Sequence, residues 1–136
     1  MADRVALDSG ALIKLSDGDP LTRAVLRKWT DEGWETIVPT PVLAETLRGG
    51  PADARVHRIL KSRASAITIV GVSEMAGRDA GKRLSDARMG PRSTVDALIV
   101  ASAVSERAEH ILTCDPSDIT ALAGADLKVI PVYRRR

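Results

Sequence analysis

Two carboxylates stand where the surrounding pattern reads as protein interior. In RVALDSGALI, residues 4–13, Asp8 separates the apolar run Val5, Ala6, Leu7 from the apolar run Ala11, Leu12, Ile13. In STVDALIVASAV, residues 93–104, Asp96 lies among Val95, Ala97, Leu98, Ile99 and Val100. Two further acids border helical patterns: Glu45 in PTPVLAETLRG and Asp115 in TCDPSDITAL. A carboxylate in an apolar setting needs strong hydrogen bonds or a cation. If the four converge, their repulsion raises their pKa values or requires a metal. Carboxylate oxygens with few nitrogen or sulfur donors suit Mg²⁺ or Mn²⁺. The chain holds only His57, His110 and Cys114 as softer donors, which argues against a Cys/His zinc site.

Each acid also has a plain structural alternative. Asp115 reads as a helix N-cap, with Pro116 at the first helical position and Asp118 as the acidic member of a capping arrangement. Asp96 closes the S/T-x-x-D/E signature that begins at Ser93. There it would favour the helix dipole by roughly 0.3–1 kcal/mol. Glu45, in a helix capped by Thr40 and started by Pro41, reads as a solvated partner of Arg48 three residues on. Asp8 has the weakest alternative, because the strand it ends should be buried on both faces.

The elements that must position these acids follow from hydrophobic periodicity. Strands are expected near 4–8, 35–38, 66–70, 110–113 and 127–132. Helical patterns run near 9–16, 20–33, 41–48, 52–64, 74–88, 94–108 and 116–124. Short strands bounded by helices imply an α/β fold with a mostly parallel sheet covered on both faces. Such sheets place ligands outside the carboxyl ends of their strands. Asp8 and Asp115 fall on that edge, and meet there only if their strands are neighbours.

Composition narrows the partner. The chain has 136 residues, a single domain by length, expected over 1–132 with a basic tail at 133–136 read as disordered. No stretch of about 20 residues is free of charge, so no membrane span is expected. MADRVALD is acidic and strand-like, unlike a signal peptide, and the single cysteine fits a reducing cytoplasm. From Arg48 to Arg92 there are 10 Lys plus Arg against 4 Asp plus Glu, net +6; the remainder holds 10 against 14, net −4. A basic middle and acidic flanks suit a polyanion approaching acidic chemistry, and equally suit solvated helix faces. Trp29, Trp34 and Tyr133 are the only aromatics, so nucleic acid would be held by its phosphates rather than by base stacking.

Rival phosphoryl-transfer sites fit poorly. A haloacid-dehalogenase-like site wants a second Asp at position 10, which is Gly. A receiver wants an Asp after the third strand, and ThrIleValGlyVal offers none. Gly77 to Lys82 has the wrong spacing for a P-loop. A non-catalytic binding module, with the acids merely capping helices, stays open at this level.

The four segments in this order resemble PIN-domain nucleases, and within them the VapC toxins of bacterial toxin–antitoxin pairs. ValAlaLeuAspSerGlyAlaLeuIle is similar to the family's opening strand and first acid, Asp8. ProThrProValLeuAlaGluThrLeuArgGly resembles the segment with the second, Glu45; SerThrValAspAlaLeuIleValAlaSerAla that with the third, Asp96; and IleLeuThrCysAspProSerAspIleThrAlaLeu that with the fourth, Asp115. The resemblance implies a three-layer α/β/α sandwich and a Mg²⁺- or Mn²⁺-dependent endoribonuclease acting on structured RNA such as tRNA or rRNA. It also implies a homodimer and a cognate VapB-like antitoxin. On this reading Asp8, Asp96 and Asp115 hold metal, and Glu45 completes the catalytic group by holding a water or orienting the nucleophile. Ser9 and Thr113 support them by hydrogen bonds, Asp118 is an extra acid of open role, and arginines such as Arg48, Arg55, Arg83, Arg88 or Arg92 steer RNA.

Overall fold

The computed structural model describes residues 3–132; the tail at 133–136 lies outside them. Five strands form one sheet: Arg4–Leu7 (β1), Glu35–Pro39 (β2), Ile67–Val70 (β3), His110–Thr113 (β4) and Lys128–Pro131 (β5). Seven helices connect and cover them: Ser9–Ser16 (α1), Pro20–Asp31 (α2), Thr40–Thr46 (α3), Asp53–Lys61 (α4), Glu74–Asp86 (α5), Thr94–Ser105 (α6) and Pro116–Ala123 (α7). A 3₁₀ turn at Pro91–Ser93 leads into α6.

The strand order is β3-β2-β1-β4-β5, and every pairing is parallel. The first strand therefore lies in the middle. Val5, Ala6 and Leu7 on it are fully buried, as a central parallel strand covered on both faces requires. Edge strands β3 and β5 are half-open instead. On one side α1 packs with α2 and α4; on the other α6 packs with α5 and α7; α3 touches both α1 and α6. This is the expected three-layer α/β/α arrangement. α6 is apolar nearly all round, and Ala97, Ile99, Val100, Ala101, Ser102 and Ala103 are buried. Among the described residues no helix is long and apolar enough to cross a membrane.

All twelve expected elements form, but several helices stop sooner than the periodicity implies. α2, α5 and α6 each end at a left-handed residue, Gly33 (φ 88°), Arg88 (φ 55°) and Arg107 (φ 61°). The next amide then reaches back into the last turn: Trp34 N–H to Trp29 O, Met89 N–H to Leu84 O and Ala108 N–H to Ala103 O, each at 2.9 Å. These are Schellman ends. The start of α3 also differs from expectation. Thr40 is its first residue rather than its cap, and Pro39 in the N-cap position offers no side-chain bond.

Candidate active site

β1 and β4 are neighbours, and the Asp8 amide continues their ladder by donating to Leu112 O at 3.1 Å. The residues just past both strands therefore share one edge, which answers the condition left open by the sequence. Asp8 is the N-cap of α1, and its Oδ1 accepts the Ala11 amide at 2.9 Å. It is 6% exposed. Burial pushes its pKa up, hydrogen bonds from Thr113 and Ala11 pull it down, and the charges of Glu45 and Asp115 push it up again. The sum is a raised pKa. Asp8 thus caps a helix and also faces other acids.

Thr113, fully buried at the end of β4, joins two of the acids. Its hydroxyl bonds to Asp8 and accepts the Asp115 backbone amide at 2.8 Å. The next residue, Cys114, passes close over α1: a Cβ on Gly10 would lie 2.8 Å from Cys114 Cβ and 2.9 Å from its Sγ. Glycine at position 10 is what lets the end of β4 approach Asp8.

Glu45 comes from α3 and accepts the Ser9 hydroxyl at 2.5 Å. The expected Glu45–Arg48 pair does not form. The Arg48 guanidinium folds back on the last carbonyls of its own helix, Ala44 O at 2.7 Å and Leu47 O at 3.2 Å. A residue that the sequence reading passed over, Asp53, fixes this turn: its carboxylate accepts the amides of Arg48 at 3.0 and 3.1 Å and of Gly49 at 2.7 Å. Those backbone bonds lower the Asp53 pKa. The only sequence signal was an Asp at the start of a helical pattern, which reads as ordinary first-turn charge.

Asp96 lies in the first turn of α6. Its pKa is pushed up to about 6, first by burial and then by Glu45, Asp115, Asp8 and Asp118. The capping explanation for this region fails, because Ser93 makes no side-chain cap bond. It fails for Asp115 as well. Asp115 precedes α7 but its carboxylate caps nothing, and the residue is exposed. One carboxylate oxygen each of Asp96, Asp115 and Asp118 lies within 4.8 Å of the others. Asp118, whose role the sequence left open, thus belongs to the tight group, whereas Asp8 stands just outside it. Three converging hard-oxygen donors with a strained charge among them are suited to a divalent cation.

The arginines differ in their freedom. Arg83 is locked: its side chain, 11% exposed, pairs with Asp79 and Asp126 at 2.7 Å each and reaches Leu122 O at 2.9 Å. It is a strut between α5 and α7 and is removed from the set that could steer RNA. Arg55 pairs loosely with Asp17 at 3.4 Å. Arg88 and Arg92 are exposed, and their guanidinium groups have no hydrogen-bond or ion-pair partner among the described residues.

A family model described as the PIN domain matches residues 5–124. Among curated proteins none matches. Among solved structures the chain is similar to VapBC2 from Rickettsia felis bound to a DNA fragment from its promoter. That likeness has a TM-score of 0.70 and 14% identity, covering 94% of this chain and 98% of that one. It is also similar to a toxin–antitoxin complex from Klebsiella pneumoniae, with a TM-score of 0.67 and 20% identity over 93% and 95% of the two chains. FitAcB from Neisseria gonorrhoeae follows at 0.62 and 20% over 92% and 95%.

Proposed function

The chain belongs to the PIN-domain family, and from that premise we propose that it is a divalent-metal-dependent endoribonuclease, the VapC-type toxin of a toxin–antitoxin pair. The observation that carries this reading is the gathering of Asp8, Glu45, Asp96, Asp115 and Asp118 from four separate elements at the carboxyl edge of the sheet. Nothing in the fold needs them together, since neither Asp96 nor Asp115 serves as a cap of a kind that would explain it.

Asp96, Asp115 and Asp118 would hold the cation, Mg²⁺ or Mn²⁺, with Asp8 completing its surroundings directly or through water. A bound divalent ion supplies positive charge beside the scissile phosphate and makes an adjacent water acidic enough to ionise near neutral pH. Glu45, steadied by the Ser9 hydroxyl, would orient the attacking water and take its proton. Thr113 keeps Asp8 and Asp115 in register.

The substrate is RNA, in this reading a structured RNA such as tRNA or rRNA. The natural partners are a VapB-like antitoxin, supported by the toxin–antitoxin assemblies to which the chain is similar, and a second copy of the chain in a cytoplasmic homodimer. The deciding experiment incubates purified protein with total RNA, with Mg²⁺ or Mn²⁺ and with EDTA, beside Asp8→Asn and Asp96→Asn. Metal-dependent cleavage lost in both folded variants is expected. Equal cleavage by either variant, or indifference to EDTA, removes the assignment.

A further inference from the structure

A polyanion entering a pocket that holds Asp8, Glu45, Asp96, Asp115 and Asp118 needs cations at its rim. The arginines of the basic middle segment differ in what their side chains already do. Arg83 is a strut, Arg48 lies against the carbonyls of its own helix, and Arg55 pairs with Asp17. Arg88 and Arg92 keep guanidinium groups with no hydrogen-bond or ion-pair partner among the described residues. The course of α6 decides between these two, because its ends lie on opposite edges of the sheet. Asp96, in its first turn, faces the acids that follow β1 and β4. Glu106, just past its last turn, accepts the Arg4 guanidinium at the start of β1. Arg92 stands two residues before the first of these ends. Arg88 stands four residues further back, where α5 closes in its left-handed turn.

The backbone under Arg92 is fixed. Pro91 opens the 3₁₀ turn with its φ locked by the ring, and the Ser93 amide closes it by donating to Gly90 O at 3.0 Å. With a rise of about 2.0 Å per residue in the 3₁₀ turn and about 1.5 Å in the helix, Arg92 starts roughly 7 Å from Asp96 along the axis. Its exposed side chain pairs with none of the five acids. We propose that Arg92 grips the RNA phosphate next to the scissile one, on the Asp96 side of the pocket, and so sets how tightly substrate is bound. The inference rests on the nuclease reading above and adds to it the residue that holds substrate beside the acids. Phosphate is the handle this side chain suits: the guanidinium fork grips it bidentately, and an aromatic-poor chain has few rings for bases to stack on.

The test uses the full chain and a short RNA hairpin carrying a mapped cleavage site. Arg92→Gln is compared with Arg92→Lys, Arg88→Gln and Arg107→Gln. Arg107 is the matched control: it is exposed and stands two residues past the other end of α6. Arg92→Gln should raise KM about tenfold, the weight of one charge-assisted bond to phosphate, and leave kcat within about twofold. It should also flatten the salt dependence of RNA binding by about 0.7 in log–log slope, the share of one phosphate. Arg92→Lys should keep the slope, because the charge stays, yet raise KM about threefold, because the bidentate fork is lost. Arg88→Gln and Arg107→Gln should each move KM by less than about twofold, since neither removes the proposed bond. An unchanged KM in Arg92→Gln overturns the proposal, as does an equal rise in Arg107→Gln or a larger one in Arg88→Gln. A drop in kcat at unchanged KM also overturns it, because Arg92 would then act on the transition state rather than hold substrate. If the native chain cleaves RNA and Arg92→Gln matches it, only the role of Arg92 fails. If the native chain neither binds nor cleaves RNA, the nuclease reading fails with it.

Discussion

Asp96→Asn should abolish cleavage and at the same time stabilise the metal-free protein. The Asp96 pKa is pushed from 3.8 to about 6. At 1.36 kcal/mol per tenfold change, holding this group charged at neutral pH costs about 3 kcal/mol. The carboxylate is only half-buried, so solvent screening leaves about half of that, near 1.5 kcal/mol. Removing the charge also forfeits a favourable first-turn interaction with the α6 dipole, about 0.5 kcal/mol. The net gain is about 1 kcal/mol, worth roughly 3–5 °C in Tm for a chain of this size. The sign with pH follows by linkage. Between pH 3.8 and about 6 the folded state binds more protons here than the unfolded state, so this contribution improves as pH falls through that window. The advantage of Asn should be full above about pH 7 and shrink to a small remainder near pH 4, where Asp96 is neutral in the folded state and about half protonated in the unfolded one. Thermal unfolding in EDTA at about pH 7.5 and about pH 4 measures it. A lower Tm for the variant at the higher pH, or the same shift at both, refutes the reasoning.

Divalent metal should reverse that order. At about 100 times its Kd, Mg²⁺ or Mn²⁺ should stabilise the native chain by ~2.7 kcal/mol, and Asp96→Asn or Asp118→Asn by much less, as read by thermal shift. Thr113→Val removes the hydroxyl that joins Asp8 to the Asp115 amide. It should cost about 1–3 kcal/mol in denaturant unfolding and lower kcat more than it raises KM. Gly10→Ala drives a methyl against the Cβ of Cys114; a loss of about 1–3 kcal/mol and a displaced Asp8 are expected, and a neutral effect would mean that the end of β4 yields. Arg83→Gln should destabilise by about 2 kcal/mol by removing the bonds to α7 and Asp126, while the salt dependence of RNA binding stays as it was.

The parts of this molecule that were legible in its sequence are those written as patterns. The β1 run reads as buried because Val5, Ala6 and Leu7 are consecutive and apolar, and it is the central strand. Helix ends were less legible. A Schellman end is advertised by glycine, as at Gly33, but Arg88 and Arg107 adopt the same left-handed turn with side chains that carry no such signal. The patterns of α5 and α6 therefore run on in the sequence past where the chain turns. Capping misled in the opposite sense. The Ser93-to-Asp96 and Asp115–Pro116 spacings satisfy the local rule, yet neither predicted side-chain cap forms.

That failure is informative about the site. A local rule obeyed in sequence and ignored in structure marks a side chain claimed by something non-local. For Asp96 and Asp115 the claim is the company of Asp118, Asp8 and Glu45, which no single segment could reveal because it depends on β1 and β4 being neighbours. Asp8 shows the converse: it satisfies its cap and still faces Glu45 and Asp115, so a satisfied local role does not argue against a distant one. An acid kept charged at the expense of stability, with its helix-capping role unused, is what the proposed cation-binding role of Asp96 predicts.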